Sequence, residues 1–103
     1  MSRAVAPRRR QAPIHPGAIL REDLADAGVR LNRLARDLRV PMNRISAIVN
    51  GKRSITADTA LRLALYFGTS PQYWMNLQTN YDIAMAEQEA GERIKTDVQV
   101  LSH

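Results

Sequence analysis

The sequence predicts an all-α fold of five helices, and three observations carry that prediction. Apolar residues recur at spacings of three and four from Ile19 to Met85. Pro16, Pro41, Thr56 and Ser70-Pro71 stand where helices would start, and Gly28, Gly51, Gly68 and Gly91 where they would stop. A chain of 103 residues with 45% hydrophobic content suits one domain with a single core.

Residues 1–13, MSRAVAPRRRQAP, have no apolar period and read as a flexible basic arm. The folded unit is expected over 14–91, with a short extension over 92–103. The first helix opens at Pro16, buries Ile19, Leu20, Leu24 and Ala27, and ends at Gly28, with His15 as an N-terminal cap or surface residue. The second runs from Leu31 to Leu38, with Leu31, Leu34, Ala35 and Leu38 inward and Asn32, Arg33 and Arg36 outward. Arg39-Val40 makes a tight link and Pro41 opens the third helix.

At 100° per residue, Met42, Ile45, Ile48 and Val49 fall on one side of that third helix. Asn43, Ala47 and Asn50 centre the other side, flanked by Arg44 and Ser46, and Gly51 ends it. Thr56 caps a fourth helix, with Asp58 near its positive end and Leu61, Ala64, Leu65 and Phe67 as buried candidates. The fifth begins at Ser70-Pro71, carries Trp74, Leu77, Tyr81, Ala84 and Met85 inward, and is expected to end at Gly91. From Ile94 to Leu101 apolar and polar residues alternate, which predicts a short strand.

Charge is divided unevenly along the chain. Residues 1–53 hold 12 Lys/Arg against 4 Asp/Glu (+8), and residues 54–103 hold 3 against 6 (−3). A polyanion would therefore meet the first half. There is no cysteine, no apolar run follows the basic N-terminus, and no stretch is long enough to span a membrane, so a cytoplasmic protein is expected. His15 and His103 are the two histidines, and no nucleophile elbow, Walker loop or metal-ligand set occurs. The sequence thus points away from an enzyme, and it suggests no cofactor or metal.

Two short helices joined by a tight turn form a helix-turn-helix candidate. The polar side of its second helix suits a DNA major groove, whose base edges offer donors and acceptors to short polar side chains. Asn43 and Asn50 each donate and accept, as adenine requires. Arg44 can fork onto guanine or clamp a phosphate, and Ala47 permits close approach or touches a thymine methyl. Lys52 and Arg53 follow the helix end, where flanking phosphates would run, and Arg33 and Arg36 would meet the backbone on the other side. The plainer alternative is a solvated helix face.

The stretches HPGAIL (15–20), LARDLRVPMNRISAIVNGKRSITADTALRLALYFGTSPQYWMNLQ (34–78) and YDIAMAE (81–87) resemble the HigA-type antitoxins, the VapI branch of the XRE helix-turn-helix group. The resemblance covers about residues 14–101. It implies a phage-repressor-like five-helix fold, a homodimer, a palindromic double-stranded operator, and neutralisation of a HigB/RelE-like mRNA endonuclease toxin. Position by position, Met42, Asn43, Arg44, Ser46 and Ala47 inherit base-facing or phosphate-facing roles and are assigned as the base readers, while Asn50 is assigned to the phosphate contacts. Where the group commonly starts its second helix with Ser-Gln, this chain has Arg30-Leu31. The usual cap is missing there, and Arg30 is expected at a phosphate.

Other features are assigned more simply. Arg8-Arg9-Arg10 reads as a solvated tail, with minor-groove insertion as the alternative. Tyr66, Phe67, Tyr73, Trp74 and Tyr81 have core spacing. Met75, Ile83, Ala86 and Ala90 form a second apolar strip on the fifth helix, expected at a dimer contact. A stand-alone regulator without a toxin, or a protein-docking module, would share many of these features.

Overall fold

The computed structural model describes residues 12–102, so Arg8, Arg9, Arg10 and His103 lie outside the described residues. Its helices are α1 (Pro16–Ala27), α2 (Leu31–Leu38), α3 (Met42–Val49), α4 (Ala57–Phe67) and α5 (Pro71–Asp97). The all-α prediction holds, in the predicted order.

Local chemistry sets most of the helix ends. His15 Nδ1 accepts the Gly17 N–H at 2.9 Å, capping α1, and Pro16 fills a position where no N–H is needed. Ser70 Oγ accepts the Tyr73 N–H at 3.1 Å at the start of α5. Arg30 precedes α2 without a side-chain cap, as its departure from the Ser-Gln pattern implies. Arg39 ends α2 in the left-handed region at φ 61°, giving the tight turn into α3. Pro41 is the N-cap residue of α3 rather than its first helical residue.

The core gathers Leu20 and Leu24 of α1, Leu34, Ala35 and Leu38 of α2, and Ile45, Ile48 and Val49 of α3. Ile55, Ala60, Leu63, Ala64 and Trp74 complete it. Gly17 is required by this packing, because a Cβ there would lie 1.9 Å from the Ile48 carbonyl oxygen. Trp74 is fully buried, and its Nε1–H donates to Thr69 Oγ1 at 2.9 Å, so its one polar atom is satisfied.

Several expectations are corrected. The fifth helix does not end at Gly91, and Ile94 to Leu101 is not a strand. α5 continues to Asp97, and residues 98–102 form no sheet. An interior glycine weakens a helix by only about 1 kcal/mol. Beyond Gly91 the ion pairs Arg93–Asp97 (3.9 Å) and Lys95–Glu92 (3.6 Å) stand at helical spacing. A few alternating residues without a pairing edge do not outweigh a helix already propagating.

On α4 the buried face is turned from the predicted one. Leu61 and Leu65 are exposed, the latter at 88%, while Thr59, Ala60 and Leu63 are buried with Ala64. The face that meets both α2 and α5 decides the rotation. On α3, Met42 is 44% exposed and belongs to the outer rim rather than the core. Among the aromatics Tyr73 is also exposed, its ring edge-on to Trp74 at 5.0 Å.

Candidate nucleic-acid interface

α3 lays Ile45, Ile48 and Val49 against the core and leaves its opposite side open. Asn43 and Asn50 are exposed there, and Arg44, Ser46 and Ala47 are half-exposed. All five polar or small positions predicted to read or grip DNA from this helix are thus accessible, with Met42 at the rim. At the edges of this face Arg21 of α1 meets Asn50 and Asp58 of α4 meets Arg44. The arrangement leaves one α-helix free to enter a groove that admits one.

Basic side chains flank that face. Arg30 precedes α2, Arg33 and Arg36 lie on it, and Lys52 and Arg53 follow α3; all five are exposed. Arg33 is partly engaged, pairing with Asp37 at 3.4 Å, and Asp37 also accepts from the Tyr66 hydroxyl at 3.2 Å. Asn50 has its Oδ1 occupied by Arg21 Nη2 at 3.1 Å. Its amide donors remain, which suits a phosphate oxygen better than the give-and-accept pairing that adenine needs.

Two groups to which sequence reasoning gave no part in the site shape it. Gln78, buried on α5, accepts the Ile55 N–H at 2.8 Å and donates to Asp82 at 2.9 Å. It therefore holds the end of the loop that carries Lys52 and Arg53. Asp58, in the first turn of α4, pairs with Arg44 at 3.1 Å and with Arg62 at 2.8 Å. These two arginines, first Arg62 and then Arg44, hold the Asp58 carboxyl below its usual range. A glutamine in an apolar stripe and an acid near a helix start were visible, but their partners were not.

His15 joins α1, the 51–53 loop and α5. Its ring faces Gly51 and meets Tyr81 edge-on at 4.9 Å. Burial lowers its pKa, opposed by the Asp82 carboxylate and the Arg53 backbone. Neutral His15 is the form that accepts the Gly17 N–H.

The helix-turn-helix family pattern matches residues 20–74, more than half of the chain. Virulence-associated protein I of Dichelobacter nodosus is 54% identical over 77 residues, spanning 74% of this chain and 71% of that protein. The structure of an addiction module antidote protein of a HigA family from Coxiella burnetii has a TM-score of 0.86 at 52% identity, covering 88% of this chain and 100% of that one. The chain belongs to the HigA-type branch of the helix-turn-helix family. Another HigA structure, the Pseudomonas aeruginosa antitoxin with the higBA promoter, has a TM-score of 0.84 at 43% identity and covers 87% of this chain and 99% of its own. HigA-type antitoxins are a class of DNA-binding regulators rather than enzymes. No helix of the described residues is long and apolar enough to cross a membrane.

Proposed function

We propose that this chain is the DNA-binding antitoxin of a type II toxin–antitoxin pair. As a homodimer it occupies a palindromic operator in its own promoter and represses its operon, and it neutralises a HigB/RelE-like mRNA endonuclease. The open outer face of α3, on a chain alike over nearly its whole fold to a HigA solved with a promoter, carries this reading.

Each subunit lays α3 in a major groove, with half-sites about one helical turn (~34 Å) apart. Asn43 and Arg44 read base edges, Ala47 allows close approach, and Met42 and Ser46 border the contact. Arg30, Arg33, Arg36, Asn50, Lys52 and Arg53 meet phosphates, which fix register without carrying sequence information. The α5 strip of Met75, Ile83, Ala86 and Ala90 joins the two subunits. Promoter occupancy then excludes transcription, and a bound toxin alters operator affinity.

Footprinting on the chain's own upstream region, with a salt titration, tests the reading. A protected palindrome is expected, with log K falling by about 0.9 per phosphate contact against log salt. Asn43→Ala is expected to relax one base position at a loss of about 1–3 kcal/mol, while Lys52→Ala weakens all sequences alike. Identical behaviour of the two variants would overturn the division of roles, and a salt-independent complex would overturn the phosphate contacts. Co-purification with the product of a neighbouring gene tests the toxin. A specific operator complex with no such partner would make the chain a stand-alone regulator.

A further inference from the structure

Arg44 is the cation on the outer side of α3, and it is held in place. Its Nη1 donates to Asp58 Oδ1 at 3.1 Å. The same oxygen accepts from Arg62 Nε at 2.8 Å, and Arg62 Nη1 donates to the Leu38 carbonyl at 2.8 Å. Asp58 thereby links the end of α2, just before the tight turn, to the reading helix and to α4. The pair is open to solvent, with side chains 25% exposed for Arg44 and 57% for Asp58. Such a pair adds little stability, and ordering a long arginine opposes it entropically. Its consequence lies in where the arginine points.

An untethered arginine beside a duplex is drawn to whichever phosphate is nearest. A guanidinium held at one nitrogen presents its remaining N–H groups as a planar fork in one direction, and that fork matches the O6 and N7 acceptors of guanine. The carboxylate also repels a phosphate that approaches the same spot, which penalises misregistered and non-specific complexes.

We infer that Asp58 is a positioning residue that, by holding Arg44 Nη1, directs this arginine at a guanine edge and away from the DNA backbone. The inference rests on the DNA-binding reading above and deepens it: the base edge that Arg44 reads is a guanine, and the half-site carries a G·C pair beneath it. Asp58 itself touches no base.

Wild type, Asp58→Asn, Arg44→Ala and the double variant are titrated over a range of salt. The duplexes are the operator, operators substituted at each G·C pair, and a scrambled sequence. Asp58→Asn is expected to lower the operator-to-scrambled affinity ratio about ten-fold. The loss should come chiefly from tighter scrambled binding, with a salt slope steeper by about 0.9. Discrimination should weaken at the same G·C pair that Arg44→Ala affects, and Asp58→Asn should add nothing once Arg44 is alanine. Asp58→Ser, also suited to a first helical turn, is measured alongside, with thermal melts for both variants.

Three results would overturn the inference. The ratio and slope could be unchanged in both Asp58 variants, or the effect could persist at full size without Arg44. Arg44→Ala could instead flatten the salt slope while relaxing no base pair. A wild type without operator preference would overturn the DNA-binding reading as well, whereas preserved preference with a silent Asp58 overturns the positioning role alone.

Discussion

At the scale of single residues, the HPGAIL stretch shows how a short motif sets the geometry of a surface some distance away. Gly17 lets the start of α1 rest against the end of α3, where a Cβ would lie 1.9 Å from a backbone oxygen that cannot swing aside. Gly17→Ala is therefore expected to destabilise by about 3 kcal/mol, toward the upper end for overpacking. Denaturant melts should show a lower midpoint at unchanged slope. His15 adds a pH dependence. Its folded pKa is lowered by burial from the ordinary value of 6.5, so the unfolded chain binds the extra proton first. The contribution of His15 is present above about pH 6.5 and declines as the pH falls through and below it. Protonation also removes the acceptor for the Gly17 N–H and places a cation at the positive end of α1. Thermal melts should show a fall in stability below that pH, and His15→Asn, a cap that does not titrate, should remove it.

At the scale of elements, the 50–56 loop and α5 are coupled through Gln78. Gln78→Ala leaves the buried Ile55 N–H without its acceptor, an expected loss of about 1–3 kcal/mol. Amide exchange at Ile55 should quicken with it, and a protected Ile55 amide in the variant would show that the loop is held by something else. α5 itself invites the opposite kind of change. Gly91 lies within the helix, and a Cβ there meets only Glu87 Cβ at 3.8 Å, an ordinary contact. Gly91→Ala should raise stability by about 0.5–1 kcal/mol and deepen the helical circular dichroism signal. A helix that stopped at Gly91 would not respond in this way.

At the scale of the whole molecule, the described chain measures 52 × 30 × 23 Å, with a 27-residue α5 joined to four shorter helices. Ile83 and Ala86 are exposed along α5, Met75 and Ala90 half-buried, and Ile94 extends the apolar line beyond Gly91. A second subunit on this strip would bury it and set two reading helices at a fixed separation. Ile83→Glu is expected to yield monomers in sedimentation and to weaken operator binding far more than its distance in sequence from α3 suggests. An unchanged dimer would move the interface elsewhere. Much of this architecture was legible beforehand. The His15, Thr56 and Ser70 caps and the Gly28 and Gly68 stops act within a few residues, as do the inner stripes of α2 and, apart from Met42, of α3. The outward placement of Asn43 and Asn50 follows from the same short-range periodicity.

What the sequence by itself determined is the order of the helices, where most of them begin and end, and which side of α3 is polar. These follow from backbone capping and a 100° turn per residue, interactions that span one or two helical turns. Tertiary structure alone decided the rotation of α4 and the pairings of Arg44 with Asp58 and Ile55 with Gln78. Those partners are 14 and 23 residues apart. No local rule relates them, because their meeting depends on how α3, α4 and α5 pack around one shared core.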